Sequence, residues 1–419
     1  MVDYKLTPTD WIKKIPAHWK YRLVREIFEE RKTKVSDKMY PALSVSKAGV
    51  VPQIDTVAKT DNGDNRKLVK IGDFVINSRS DRKGASGISD YEGSVSLIYT
   101  VLQTVVDENK KFLHYLLRSV PFTEEYYRNG KGLVSDLWTT NYDKFKNIFL
   151  PLPPLDEQEK IVRYLDKKTS QISTYINAKK KEIELLGELK RSIISEAVTK
   201  GLHSSQTPVH WKVVRLKSLF SFGKGLPITK EDLVEQGIPV ISYGQVHAKN
   251  NSGTTVTDEL IRFVSKSYLK TNPSSLVDEF DFIFADTSED LEGTGNCVYV
   301  DKKMTLFAGY HTIILRARER ADKKFLAYLF LTDIWRYQIR SRVSGVKVFS
   351  ISKKILGQVN VLLPPLEEQR EIVDYLDAKC AKIERLIEAL QNEIKFVEEL
   401  RTRIISDVVT GKIDVRELT

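Results

Sequence analysis

Residues Leu152 to Thr199 align without a gap to Leu363 to Thr410 at a shift of 211 positions, and 24 of the 48 aligned positions are identical. A chain that repeats a segment of this size places two equivalent units in one fold, so the architecture is read from the repeat first. The shared text opens on Leu-Pro-Pro-Leu, continues through Glu157-Gln158 and Glu368-Gln369, then Ile-Val and Tyr-Leu-Asp, and closes on Ile-Ile-Ser and Val-Thr. A fainter echo precedes each copy: Pro16, His18, Trp19, Lys20 and Phe28 match Pro208, His210, Trp211, Lys212 and Phe220 at a shift of 192. The two shifts differ by 19 residues, which the second half is expected to carry as extra loop. The order is therefore domain, helix, domain, helix, with boundaries at 1–150, 151–203, 204–362 and 363–419.

Ile161, Leu165, Ile172, Ile176, Ile183, Leu186 and Ile193 are spaced by three, four or seven, which puts them on one stripe of a long helix. Ile372, Leu376, Ile383, Ile387, Ile394, Val397 and Ile404 repeat the stripe. Pro153 and Pro154, and Pro364 and Pro365, hold the preceding backbone extended, so each helix starts after them. Asp156 with Glu159 is placed for a capping box, which Arg370 removes from the second copy. Gly201 and Gly411 are the expected stop signals. Gly187 falls mid-helix at a cost of about 1 kcal/mol, where the second copy has Glu398. Roughly 40 residues at 1.5 Å each make a rod of about 60 Å. Its apolar stripe needs a cover, and the other copy offers one of equal length. Because the first helix delivers the chain to the second domain, from which the second helix sets out, the pairing is expected to be antiparallel.

The larger segments read as mixed α/β. Val95–Val101, Thr312–Leu315, Phe74–Ile76 and Phe282–Phe284 are strand candidates, and Lys111–Leu117 and Lys323–Leu331 read as short helices. The expected fold class is α/β (α+β), two globular domains alternating with two long helices that pair as an antiparallel coiled coil, with a pseudo-twofold internal repeat. The formal charge of +10 suits a polyanionic partner. Lys and Arg exceed Asp and Glu by 6 in each larger segment, while the helical segments together come to −2, so the larger segments are where a polyanion binds. Cys297 and Cys380 are too few and too distant for a disulfide framework, which points to a reducing compartment. Met1 to Asp10 holds no apolar signal core and no stretch nears the roughly 18 apolar residues of a membrane span, so a cytoplasmic protein without a membrane partner is expected.

Catalytic text is missing. Adenine methylation needs an Asn/Asp-Pro-Pro-aromatic pocket, but Asn272-Pro273 is followed by Ser274. Phe222-Gly223-Lys224-Gly225 lacks the spacing of a phosphate-cradling loop. His18, His114, His203, His210, His247 and His311 are scattered without metal-ligand spacing, and His18 and His210 read as packing or hydrogen-bonding residues. Asp286, Glu289 and Asp290 read as a solvated loop in preference to a Mg²⁺ site. No catalytic residue, no metal site and no cofactor of its own are expected.

Leu-Pro-Pro-Leu-x-Glu-Gln opening a long helix, twice, each time after a basic α/β segment, resembles the specificity subunits of type I restriction-modification systems. Gly72-Asp73-Phe74-Val75 looks like the family's strand-opening pattern, from which Asp278-Glu279-Phe280-Asp281 departs, and Ile238-Pro239-Val240-Ile241 with Tyr243-Gly244 looks like target-recognition-domain text. The resemblance implies two target-recognition domains that bind double-stranded DNA at a bipartite, asymmetric site. It further implies two methyltransferase subunits clasping the helices and restriction subunits that translocate and cut, these partners using S-adenosylmethionine, ATP and Mg²⁺.

Base reading in the major groove needs Arg or Lys for guanine, Asn or Gln for adenine and apolar contact for the thymine methyl. In the first domain the candidates are the loop Asn77, Arg79, Arg82 and Lys83, with Ser80 and Asp81 inside it, and a second group of Ser44, Ser46 and Lys47. In the second they are Tyr243, Gln245, His247, Lys249 and Asn250, and a further group of Arg340, Arg342 and Lys347. Phosphate contacts are expected to outnumber base contacts. The competing reading is a structural coiled-coil scaffold whose basic domains bind acidic partners. A single-chain nuclease is disfavoured by the missing catalytic text.

Overall fold

The structure is a computed structural model and describes residues 3–53, 63–79, 82–130, 139–318, 321–345 and 347–418. The chain divides into two compact units, Met1–Lys180 with Gln391–Thr419 and Lys181–Leu390. The division falls inside both long helices, Leu155–Lys200 and Leu366–Val409. Each unit is thus one globular domain together with part of each helix.

In the first unit, strand Lys20–Leu23 pairs antiparallel with Phe149–Leu152, so the domain's ends lie side by side and the first long helix leaves directly. Its main sheet runs Ser86–Ile88, Phe74–Asn77, Tyr99–Thr104, Phe28–Glu30, antiparallel throughout. Strand side chains alternate between faces. Phe74, Ile76 and Leu102 pack with Phe112, Leu113 and Leu116 of helix Lys110–Arg118, while Val75 and Val101 join Leu43, Val69 and Val95 on the other side. Both faces being covered, the strands read as unbroken apolar runs.

The second unit repeats this plan. Lys212–Arg215 pairs with Asn360–Leu363, and the sheet runs Cys297–Tyr299, Phe282–Ala285, Thr312–Ala317, Phe220–Lys224. Phe282, Phe284 and Leu315 pack with Phe325 and Phe330 of helix Lys323–Phe330, and Ile283 and Ile314 face the second layer. Lys110-Lys111-Phe112-Leu113 and Tyr115 recur as Lys323-Lys324-Phe325-Leu326 and Tyr328.

Three expectations about the sheets need correction. Val95–Val101 is not one strand: Gly93–Val95 and Tyr99–Thr104 belong to different sheets, separated by a turn with Leu97 and Ile98 exposed. The second half's additional residues are not simply loop but enlarge its second layer to five strands, with Ile238–Ile241 parallel to Leu306–Ala308. Finally, the counterpart of Gly72-Asp73-Phe74-Val75 is Phe280-Asp281-Phe282-Ile283. Asp73 accepts the Lys70 N–H at 2.9 Å and pairs with Arg31 at 2.7 Å; Asp281 accepts the Asp278 N–H at 3.0 Å and pairs with Arg316 at 3.4 Å. Gly72 at φ 88 and Phe280 at φ 75 take the same left-handed conformation, so the second half departs in residue type and not in geometry.

The repeated motif seats each helix on its domain. Glu157 accepts the Trp19 indole N–H at 3.0 Å and lies 2.7 Å from His18 Nε2. Glu368 does the same for Trp211 at 3.0 Å and His210 at 2.9 Å, as expected for hydrogen-bonding histidines. Gln158 accepts the Asn109 N–H and donates to the Pro153 carbonyl; Gln369 accepts the Asp322 N–H and donates to the Pro364 carbonyl. Asp166 holds Lys111 and Tyr115, and Asp377 holds Lys324 and Tyr328. The first helix begins at Leu155, so Asp156 lies inside its first turn, where it favours the helix dipole, and not at a capping-box position. Gly201 and Gly411 end the helices at φ 77 and 74, the left-handed stop that glycine accepts without strain.

The two helices pair as an antiparallel coiled coil, the start of one meeting the end of the other. In the first unit Ile161, Val162 and Leu165 share a cluster with Val408 and Val409. Ile176 and Ile394 are buried, and Ile172 is half-buried. In the second unit Ile372, Val373 and Leu376 share a cluster with Ile194, Ala197 and Val198. Ile383 is buried, and Ile183 and Ile387 are half-buried. Lys190 pairs with Glu384 at 2.6 Å in this unit, and Lys179 with Glu393 at 3.7 Å in the first.

Candidate nucleic-acid interface

Asn77 pairs with Tyr99, and Ala285 pairs with Thr312. This register puts the loop that leaves one strand beside the turn that leads into the next. In the first domain the pair is the loop after Asn77 and the turn through Leu97-Ile98; in the second it is the loop Asp286–Asn296 and the turn through Tyr310-His311.

The first loop is braced from within. Asn77 is 3% exposed and its Oδ1 accepts the Arg79 N–H at 3.0 Å, so this side chain shapes the loop instead of reaching outward. The Tyr127 hydroxyl donates to the carbonyls of Asn77 and Arg82, both at 3.3 Å, and the Thr140 N–H donates to the Ser78 carbonyl. Arg79, Arg82 and Lys83 are exposed, Lys83 paired with Glu124 at 2.6 Å; Ser80 and Asp81 lie outside the described residues. Ser44 and Ser46 lie on the hairpin Leu43–Ser46/Gly49–Pro52, Ser44 half-buried, Ser46 and Lys47 exposed. The Lys47 carbonyl accepts from Arg118 of helix Lys110–Arg118, while Tyr127 and Glu124, which hold the first loop, lie on the following helix Val120–Arg128; Gly49 approaches Gly87 of the strand into which that loop leads. His114 Nδ1 accepts the Ile88 N–H at 3.2 Å there. Burial, with Arg118 and Lys111 nearby, pushes His114 down to about 4 and keeps it neutral.

In the second domain Gln245 turns inward to accept the Ser242 N–H at 3.1 Å. His247 Nε2 donates to the Thr287 carbonyl at 2.8 Å and its Nδ1 accepts from Asn296 at 3.2 Å, which ties it to the loop. Arg340 donates to the Glu292 carbonyl at 2.7 Å and to Asp333 at 2.9 Å, bracing this loop as Tyr127 braces the first. Lys347 is exposed close to strand Phe349–Ser350, which pairs with Thr287–Ser288. Tyr243, His247, Arg340 and Lys347 therefore gather around one loop. Lys249 and Asn250 do not: they line a cavity of about 550 Å³ against Lys190 and Arg191, Asn250 donating to Glu259 at 2.7 Å. Arg342 is exposed and donates to the Gln338 carbonyl.

The turn residues Leu97, Ile98, Tyr310 and His311 were not singled out by sequence reasoning. The recurring Lys-Lys-Phe-Leu-x-Tyr text would have aligned the two sheets and exposed them as a matched pair. Among the described residues, no group of three or more His, Cys, Asp or Glu is placed to hold a metal ion, and no helix is long and apolar enough to cross a membrane. Cys297 and Cys380 are buried and unpaired, and burial pushes the Cys297 thiol up to about 12.

One frame built twice, each copy seated on a long helix by the same Glu, Gln and Asp and ending in loops of different chemistry, defines a duplicated recognition scaffold. The chain belongs to the Type I restriction modification DNA specificity domain family, which matches residues 16–185 and 208–395. It is similar to the type I restriction enzyme MjaVIII specificity subunit of Methanocaldococcus jannaschii, 25% identical and covering 97% of this chain and 95% of that one. The EcoKI specificity subunit of Escherichia coli is 26% identical over 64% of this chain and 58% of its own. In fold, the chain resembles one from a solved type I R-M system, with a TM-score of 0.68 at 19% identity, covering 95% of this chain and 99% of that one. The HsdS subunit of Thermoanaerobacter tengcongensis gives a TM-score of 0.51 at 19% identity, covering 97% and 100%.

Proposed function

We propose that this chain is the DNA-reading specificity subunit of a type I restriction-modification complex. Its two domains bind two different short sequences separated by unread base pairs, and the chain directs methyltransferase and restriction subunits to that bipartite, asymmetric site. The observation that carries the reading is the pairing of matched four-stranded sheets and helix junctions with dissimilar loop ends. A frame kept constant between the halves positions, and side chains that differ between them select. Two methyltransferase subunits dock on the helices; S-adenosylmethionine, ATP and Mg²⁺ are used by partners and none by this chain. The complex works in the cytoplasm. Of the candidates named from sequence, the exposed cations Arg79, Arg82, Lys83, Arg342 and Lys347 fit phosphate contacts, and His247 and Arg340 fit positioning of the second loop.

Binding of the chain with its methyltransferase partner to duplexes of random and cognate sequence tests this. Affinity is expected to fall steeply with salt for both, with the cognate duplex held tighter by about 1000-fold or more. Equal affinity for all duplexes, or tighter binding to acidic proteins, would favour the scaffold reading.

A further inference from the structure

The matched turns differ in kind. In the first domain the tip is Leu97-Ile98, 41% and 43% exposed, with no side-chain hydrogen-bonding group. In the second it is Tyr310-His311, at the same sheet register. His311 holds φ 54, a left-handed conformation uncommon for a residue with a side chain. Such a conformation persists where the surroundings enforce it and clusters at functional sites. Here Asp286 enforces it twice: its N–H donates to the His311 carbonyl at 3.0 Å, and its carboxylate lies 3.2 Å from His311 Nδ1. Tyr243 and Tyr310 stand edge-on to the imidazole, with centroids 5.6 and 6.2 Å away. The ring is fixed in direction yet its side chain stays 58% exposed. In the neutral ring a carboxylate at Nδ1 favours the tautomer with the proton on that nitrogen, in which Nε2 is the acceptor.

We propose that His311 is a specificity-determining residue of the second domain. Its Nε2 accepts a hydrogen bond from the exocyclic amino group of an adenine or cytosine in the major groove, and Leu97 and Ile98 are the counterparts in the first domain, reading a thymine methyl by apolar contact. These are the groups by which the major groove tells base pairs apart. Packing does not require either tip: His311 holds a left-handed backbone with its imidazole exposed, and the two aliphatic side chains are exposed where burial would be favourable. The inference rests on the DNA-reading assignment above and names where in each half the reading is done.

The test uses the complex with its methyltransferase subunits, carrying His311→Gly, which accepts left-handed backbone and offers no side-chain acceptor. Binding is measured to duplexes in which each adenine or cytosine of the recognised site is replaced in turn by an analogue lacking the exocyclic amino group. For the unaltered complex, one such replacement in the half-site of the second domain is expected to weaken binding roughly tenfold. In the His311→Gly variant that replacement has no further effect, and the half-site of the first domain is read as before. Ile98→Ser is expected to lose discrimination between thymine and uracil at one position of the other half-site only. If the His311→Gly variant folds, binds and keeps full sensitivity to every amino group, His311 is not a reader, while the bipartite reading stands. Uniform weakening on all sequences would make His311 a phosphate or loop-positioning residue and would equally overturn the proposal. If the unaltered complex prefers no sequence, the DNA-reading assignment itself fails.

Discussion

Where the two halves meet the long helices they use the same residues, and where their sheets end in loops they do not. Glu157 and Glu368, Gln158 and Gln369, and Asp166 and Asp377 make matching bonds in the two units. At the loop end Leu97-Ile98 stands against Tyr310-His311, and Tyr127 against Arg340. The contrast separates what a duplicated fold must preserve from what it is free to vary. A junction is constrained because its buried donors and acceptors each need a partner. An exposed tip carries no such requirement.

The junctions are equivalent in bonding but not in burial, and this gives the largest expected effect. Trp19 is 1% exposed and the Glu157 side chain 7%, whereas Glu368 is 26% exposed. Glu157→Ala strands a buried indole N–H and is expected to destabilise the chain by about 3 kcal/mol in urea unfolding. At Glu368→Ala water reaches the vacancy and the loss is about 1 kcal/mol. Equal losses would break the distinction.

The helical seam supplies the next. Ile176 is 4% exposed and its counterpart Ile387 is half-buried. Ile176→Asp forces a carboxylate into the seam at a cost of about 3 kcal/mol, and Ile387→Asp, whose charge can reach water, costs about 1 kcal/mol. The readout is thermal unfolding together with the affinity for the methyltransferase partner. Unchanged values for Ile176→Asp would remove the coiled coil from the account.

How far this was legible beforehand varies with the kind of interaction. The helices and their stop glycines follow from an apolar stripe, which is a local periodicity, and their pairing from a gapless repeat together with the order of the chain. The partners of Glu157 were already visible as doubled text, because His18-Trp19 and Glu157-Gln158 both recur, though nothing in the spacing said that they bond. The candidate loops stand out by their polar and basic composition, and composition cannot tell an exposed residue, such as Arg82, from one turned inward, such as Asn77 or Gln245. That depends on hydrogen bonds made across the fold. The turns were missed because Leu97-Ile98 sits inside an apolar run that reads as strand, and only sheet register shows that the run breaks there.

A pH dependence distinguishes the domains at one matched helix position, where the first has His114 and the second Ala327. His114 titrates at about 4 in the folded chain, below its ordinary 6.5, so on acidification the unfolded chain takes up the proton first. The stability it contributes is fully present above about pH 6.5 and falls as the pH drops toward 4, by on the order of 2 kcal/mol. His114→Ala is expected to flatten this part of the stability profile, measured by urea unfolding from pH 7.5 to about 4.5. An unchanged slope would mean that His114 accepts a proton without loss. The smallest effect belongs to Gly187, where an added Cβ meets only Arg191 Nη1 at 3.9 Å. Gly187→Ala should stabilise by about 0.5–1 kcal/mol, and Glu398→Gly at the matched place should destabilise by a similar amount.

The central claim, one frame used twice with different readers, is tested most directly by mapping methylated bases in the genome of cells that carry this chain and its methyltransferase partner. The expected motif is two short, unlike sequences with unread base pairs between them, their centres near one helical turn of about 10 base pairs or a multiple of it, and no palindrome across the whole. Exchanging residues 16–152 for the recognition segment of a relative should replace one half of the motif and leave the other intact. A continuous or palindromic motif, or a change in both halves after that exchange, would contradict it.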